Sequence, residues 1–179
     1  MWQITFNPLT MSDLTLLHQW LQEPSVKHWY EKDKDWSLDD IKDYYQPRIA
    51  GTEHVPSFIA YLDDKPFGFI QYYVLTEFLP EGISDYEHEI FKQYAAPNIA
   101  GVDLFIANDS DRGKGVGVTL ISQFIGEYLT DFKLVVVDPD IANQQAIRCY
   151  EKAGFEKTTY STAPNHLILL KPLLSNSIQ

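Results

Sequence analysis

Ile99-Ala100-Gly101-Val102-Asp103-Leu104-Phe105-Ile106-Ala107, followed after four residues by Arg112-Gly113-Lys114-Gly115-Val116-Gly117, is the stretch on which the fold turns. The first run is apolar with one acid and reads as a strand. The residues from Val116 to Leu129 read as a helix. A glycine-rich turn at a strand-to-helix junction lets the backbone come close to an anion. Its N–H groups then point at that anion from the positive end of the helix dipole. The stretch therefore implies a phosphorylated ligand.

Outward from this turn the pattern stays regular on the C-terminal side. Phe132 to Val137 is a buried strand of β-branched residues, and Asn143 to Ala153 a short helix stopped by Gly154. Phe155 to Thr159 and Leu167 to Leu170 are two further strands. On the N-terminal side, Trp2 to Pro8 reads as a first strand. Ser12 caps a helix with Leu14, Leu17, Trp20 and Leu21 on one side. Ser37-Leu38-Asp39-Asp40 opens a second helix towards Ala50, with Gly51 as its stop. Phe58 to Leu62 and Phe67 to Leu75 form a hairpin around Asp63-Asp64-Lys65-Pro66. Thr76 to Asn98 has no clean period and is an irregular loop or a loop with a short helix; a loop of this length is more often functional than not. The order β-α-α-β-β-loop-β-α-β-α-β-β predicts an α/β (α+β) fold, a mixed, mostly antiparallel sheet with helices on both faces.

The 179 residues, 45% of them hydrophobic, suit a single domain over 1–179. No apolar run approaches a membrane span, and the N-terminus lacks the pattern of a secretory signal. Cys149 is the sole cysteine, so no internal disulfide forms. A cytoplasmic protein is expected. The net charge of −11 disfavours nucleic acid and anionic membranes and attracts cations. It reads either as ordinary acidity or as a field for a cationic substrate. The five histidines show no metal-ligand spacing, so no metal is expected.

The element order with Arg112-x-x-Gly115-x-Gly117 after the fourth strand resembles the GNAT superfamily of acyl-coenzyme A-dependent N-acyltransferases. A second signature joins it: Asn143-x-x-Ala146-x-x-x-Tyr150-x-x-x-Gly154-Phe155. The resemblance narrows to the aminoglycoside 6'-N-acetyltransferases through Ala146-Ile147-Arg148-Cys149-Tyr150-Glu151-Lys152-Ala153-Gly154-Phe155. Gly101-Val102-Asp103 with Phe105 and Ala107, Gly113-Lys114-Gly115 and Asp138-Pro139 also fit. So do Trp20-Leu21, His28-Trp29 and Gln71-Tyr72-Tyr73-Val74, in the same order. It covers roughly Leu14 to Phe155. Residues 76–98 form a longer segment than this family leads one to expect, and Leu104 stands where a polar residue often follows the aspartate.

The resemblance implies acetyl-CoA as co-substrate and a cationic small-molecule amine as acceptor, attacked directly through a tetrahedral intermediate. It implies that Arg112, Gly113, Lys114, Gly115, Val116 and Gly117 hold the pyrophosphate, with Gly115 and Gly117 giving space. Phe105 and Ile106 on their strand, and Asn143, would contact the pantetheine arm. The strand Asp103–Ala107 would do so as an added strand offers its backbone. Asn143 is also the N-cap of its helix. Arg112 and Lys114 are otherwise solvated charges.

Acetyl transfer to an amine needs a neutral amine, donors for the oxyanion and a proton for the departing thiolate. Asp103, a carboxylate inside an apolar strand, either takes structural hydrogen bonds or orients the amine and accepts its proton, directly or through water. Tyr150, protonated at neutral pH, serves the thiolate or packs in the core. Asp138 ends a strand and is a second acidic substrate contact or a turn aspartate. Trp29, Tyr30 and Trp36, near Glu31 and Asp33, form an acceptor wall or pack between the early helices; Trp29 and Tyr73 are carried as substrate contacts. Glu77, Glu81, Asp85, Glu87 and Glu89 make an acidic cluster, usually a solvated face. Cys149 reads as core. Other amines, such as a siderophore hydroxylysine, a polyamine or a peptide N-terminus, and a non-catalytic coenzyme A sensor are the rival readings. A monomer or homodimer is expected.

Overall fold

The structure is a computed structural model in which residues 3–30 and 33–174 are described. Trp2, the expected start of the first strand, and Glu31 of the expected acceptor wall lie outside them. In chain order the elements are β1 Ile4–Pro8, α1 Leu14–Gln22, α2 Pro24–Tyr30, α3 Leu38–Ala50, β2 Ser57–Leu62 and β3 Lys65–Val74. There follow α4 Ile90–Gln93, β4 Ile99–Ile106, α5 Val116–Tyr128, β5 Leu134–Val137, α6 Gln144–Lys152, β6 Glu156–Lys157 and β7 Leu169–Pro172. The seven strands are hydrogen-bonded in the order β1-β2-β3-β4-β5-β7-β6. Only the β4–β5 pair is described as parallel, and the expected mixed sheet is found. Among the described residues, no helix is long and apolar enough to cross a membrane.

Two compact units divide the chain, and β3, β4 and α5 contribute residues to both. The first comprises Met1–Tyr72 and Asp103–Leu120. Its helix starts follow local rules, with one correction. Ser12 does not cap α1. It lies inside a 3-10 turn, Met11–Asp13, and the extended residue before that turn is Thr10. The Thr10 N–H donates to Asp13 Oδ2 at 2.8 Å. Ser37 does cap α3: its Oγ accepts the Asp40 N–H at 3.1 Å while its own N–H donates to Asp40 Oδ2 at 3.0 Å. The Ser37 backbone N–H, and after it the Ser37 hydroxyl, hold the Asp40 carboxyl below its ordinary range. Gly51 closes α3 at φ 81°. Helix α2 was not expected. Its signal is Pro24 at the first helical position, after Glu23 at ψ 129°.

The β2–β3 hairpin is tighter than its sequence suggests. Leu62 pairs with Lys65, so only Asp63 and Asp64 turn, at φ 49° and 65°. Leu14, Leu17, Trp20 and Leu21 are all buried, as the periodicity predicts, and pack with Ile41, Tyr45, Ile59, Phe69 and Phe105. Phe69 stacks on Phe105 with ring centroids 5.5 Å apart.

The second unit comprises Tyr73–Val102 and Ile121–Gln179. Here β5 pairs in parallel with β4 and antiparallel with β7, which carries the two-residue β6 on its other side. Residues 76–98 are a loop with a short helix, α4, and a 3-10 turn. The segment is fastened: Ile83 and Ile90 are buried, and Thr162 donates to Gly82 O through N–H (2.7 Å) and Oγ1 (3.0 Å). His88 Nδ1 accepts the Ile90 N–H at 3.1 Å, so its other ring nitrogen carries the proton that goes to Tyr160 O at 2.6 Å. Gly82, at φ 99°, could not carry a Cβ, which would stand 2.7 Å from Ser161 Oγ.

Candidate functional site

In the first unit the predicted anion turn leaves β4 and enters α5. Gly113 and Gly115 adopt φ 76° and 83°, and a Cβ built on either meets nothing within 4 Å. These glycines are thus also required by backbone conformation. Gly117 lies in the first turn of α5, and Val116 is buried. Lys114 is exposed. Arg112 is not a solvated charge. Its guanidinium donates to Ile106 O at 3.2 and 2.5 Å, to Ser25 Oγ at 2.7 Å, and to Asp109 Oδ1. It ties the turn back to the end of β4 and to α2. An anion at this turn would therefore be met by backbone N–H groups rather than by the Arg112 side chain. Gly115→Ala forces a left-handed conformation on a residue with a Cβ, at about 1–2 kcal/mol. It is expected to raise KM for acetyl-CoA about tenfold with kcat less affected, measured by varying acetyl-CoA at saturating acceptor.

Asp103 sits on β4 in the same unit, beside β3. The Ala107 N–H donates to Phe67 O at 2.9 Å, and the Gln71 Nε2–H donates to Asp103 Oδ2 at 3.1 Å. Gln71 Oε1 in turn accepts from Arg48 Nη1 at 2.7 Å and lies 3.2 Å from Ser57 Oγ. Asp103 Oδ1 makes no hydrogen bond to a described residue. Asp103 as a residue is partly buried. Burial pushes the Asp103 carboxyl up from its ordinary range, against the lowering pull of the Gln71 hydrogen bond and the Arg48 charge. One oxygen is thus held by Gln71, while the other makes no hydrogen bond to a described residue.

Gln71 and Arg48 were not singled out for chemistry in the sequence. Gln71 carries a signal, an amide in the apolar strand Phe67–Val74. Arg48, in the last turn of a helix, carries none.

The aromatic candidates separate. Trp36 is buried and its ring meets Tyr44 at 5.0 Å. Tyr30 packs on Phe105 at 4.9 Å and Phe69 at 6.1 Å. The Phe105 side chain is itself in this core, so only its backbone is left for a ligand. Ile106 is partly buried, with its carbonyl engaged by Arg112. Trp29 is 39% exposed, against the His28 ring at 4.4 Å. It is the most exposed of this group, with Tyr30 partly buried and Trp36 buried.

The second unit holds the remaining candidates. Tyr73 is buried over Gly101, where a Cβ would lie 2.2 Å from its ring. Asp138 Oδ2 accepts the Glu81 N–H at 2.7 Å, and Asp138 O accepts from His166 Nδ1 at 2.8 Å. Its carboxylate thereby fastens the long loop. Asn143 caps α6, its Oδ1 accepting the Ala146 N–H at 3.2 Å; its NH2 has no partner among the described residues. Tyr150 is buried on α6, with its ring 5.7 Å from Phe155. Burial raises the Cys149 thiol, as suits an inert packing residue. Glu77, Glu81, Asp85, Glu87 and Glu89 are all exposed. The β4–β5 ladder runs over Ile99, Ala100 and Gly101.

A mixed sheet whose fourth strand feeds a glycine turn and helix, with a carboxylate on that strand, defines an α/β fold whose turn suits an anion. The sequence profile of a family described as "Acetyltransferase (GNAT) domain" matches residues 10–162. The chain is 33% identical over 165 residues to the aminoglycoside N(6')-acetyltransferase type 1 of Klebsiella pneumoniae, covering 90% of this chain and 78% of that protein. The solved structure of the aminoglycoside acetyltransferase AAC(6')-Ib with coenzyme A and kanamycin superposes with a TM-score of 0.79 at 29% identity, covering 95% of each chain. The same enzyme with ribostamycin and coenzyme A gives 0.81 at 28% identity, covering 95% of this chain and 93% of that one. The protein belongs to the GNAT acetyltransferase family.

Proposed function

We propose that this protein is an acetyl-CoA-dependent N-acetyltransferase that acylates the 6'-amino group of aminoglycosides, with residues 1–179 as one catalytic domain. The observation that carries the chemistry is Asp103: one oxygen anchored by Gln71, the other with no hydrogen bond to a described residue. A relative at 33% identity named as an aminoglycoside N(6')-acetyltransferase, and a similar structure holding kanamycin, support the acceptor. The net charge of −11 suits a polycationic sugar.

The residues present fit the co-substrate. The N–H groups of the turn at Gly113 to Gly117 would take the pyrophosphate, and the NH2 of Asn143 the pantetheine arm. Acetyl-CoA supplies the activated acetyl thioester. Asp103 binds the acceptor ammonium through Oδ1 and takes its proton; Tyr150 protonates the departing thiolate. Trp29, Tyr73 and Asp138 complete the acceptor contacts, and the domain works in the cytoplasm as a monomer or homodimer.

The test is thiol release from acetyl-CoA across an acceptor panel of kanamycin, ribostamycin, spermidine and a lysine derivative. Saturable turnover with the two aminoglycosides, and acetylation at the 6' position by mass spectrometry and NMR, is the expected result. Turnover confined to spermidine or the lysine derivative would reassign the acceptor. No turnover with any amine while acetyl-CoA still binds would favour a sensor.

A further inference from the structure

Arg48 lies in the last turn of α3, far in sequence from the residues assigned to chemistry. Its side chain is only 8% exposed. Each of its nitrogens has a use: Nε donates to Glu53 Oε1 at 3.1 Å, Nη2 to Tyr44 Oη at 2.9 Å, and Nη1 to Gln71 Oε1 at 2.7 Å. The guanidinium carbon stands 4.4 Å from the centre of the Tyr44 ring.

Arginine can only donate, so the oxygen of the Gln71 amide must face Arg48. The NH2 end of the same rigid amide then faces Asp103, where it donates to Oδ2 at 3.1 Å. Without the cation, nothing of fixed polarity would prevent the amide from turning over. Its oxygen would then confront the carboxylate and favour the protonated acid.

We infer that Arg48 is a positioning residue, which acts through Gln71 to present Asp103 as an oriented, unprotonated carboxylate. The inference rests on the reading of Asp103 as the acceptor of the amine proton. The charge of Arg48 also acts directly on Asp103, drawing its carboxyl down against the upward push of burial. The other titratable groups around the relay are Tyr30 on α2, Tyr44 and Tyr45 on α3, and Glu53 beyond it. The exposed His54 lines a cavity of about 370 Å³ together with Arg48 and Glu53.

The test compares Arg48→Met, which keeps the length of the side chain, with Arg48→Lys, which keeps the charge. In Arg48→Met the acid limb of the kcat/KM profile is expected to move up by about one pH unit. Activity then falls about tenfold on that limb and little on the plateau. Arg48→Lys should restore most of the limb's position. Should Arg48→Met fail to fold, Gln71→Leu, which removes the donor to Asp103, is expected to shift the limb in the same direction. The same shift should appear in a carboxyl-carbon NMR titration of Asp103, which needs no acceptor. If no amine turns over, that titration alone decides the point. An unmoved Asp103 titration, or a loss of activity uniform across pH in Arg48→Met, overturns the inference.

Discussion

Asp103→Asn is expected to lower kcat/KM for acetyl transfer by about two to four orders of magnitude. The substitution is nearly isosteric, and the new carbonyl oxygen can still accept from Gln71 Nε2. The cost falls on the other side, where an NH2 group replaces Oδ1. That group cannot take a proton, and it presents donors to an ammonium that itself donates. Binding of acetyl-CoA, measured by calorimetry, should be within about threefold of wild type. A variant retaining a tenth of the activity would remove Asp103 from its catalytic role.

The same residue links activity to stability. Burial raises the Asp103 carboxyl above its ordinary range, so the folded state binds that proton more tightly than the unfolded chain does. Stability then falls as pH rises through the folded pKa. Asp103→Asn removes this cost, and at pH 8 it is expected to melt at the same temperature as wild type or higher. For wild type, the acid limb of kcat/KM should lie above the pH at which an ordinary aspartate titrates, 3.8.

The second large effect is structural. Phe69 is fully buried, stacked on Phe105 at 5.5 Å and edge-on to Tyr45 at 5.8 Å and Tyr30 at 6.1 Å. It joins β3 to the half of β4 that carries Asp103, with α2 and α3 over both. Phe69→Ala leaves a cavity between rings that cannot collapse into it. A loss of about 3–5 kcal/mol is expected, with a fall in Tm of roughly 10 °C by scanning calorimetry. Phe69→Leu should cost less than half as much. A loss under about 1 kcal/mol in Phe69→Ala would mean that the ring cluster does not hold the strand in place.

How legible the molecule is from its residues depends on the range of the interaction concerned. The Ser37–Asp40 box, the Gly51 stop, the buried stripe of α1 and the Asn143 cap are contacts within about four residues, and each is found where its spacing puts it. Signals that compete at that same range were harder to weigh. Thr10 starts the turn in which Ser12 had been expected to cap, and Pro24 opens an unexpected helix. The glycine turn was legible because its requirement is local: positive φ at Gly113 and Gly115 just before a helix N-terminus.

What only the tertiary structure decides is where long side chains with several donors end. Arg112, read as a ligand contact or a free charge, is consumed by Ile106, Ser25 and Asp109. Asp138, a strand-end acid, spends an oxygen on the distant Glu81 N–H. The partners of Asp103 come from β3 and α3, 32 residues away in sequence for Gln71. No periodicity encodes such a pairing, because it is set by strand register and by which buried donors still need an acceptor. The sequence by itself determined the family, the glycine turn and the acid on the strand before it. The tertiary structure decided which residues hold that acid: Gln71 on β3, itself held by Arg48 on α3.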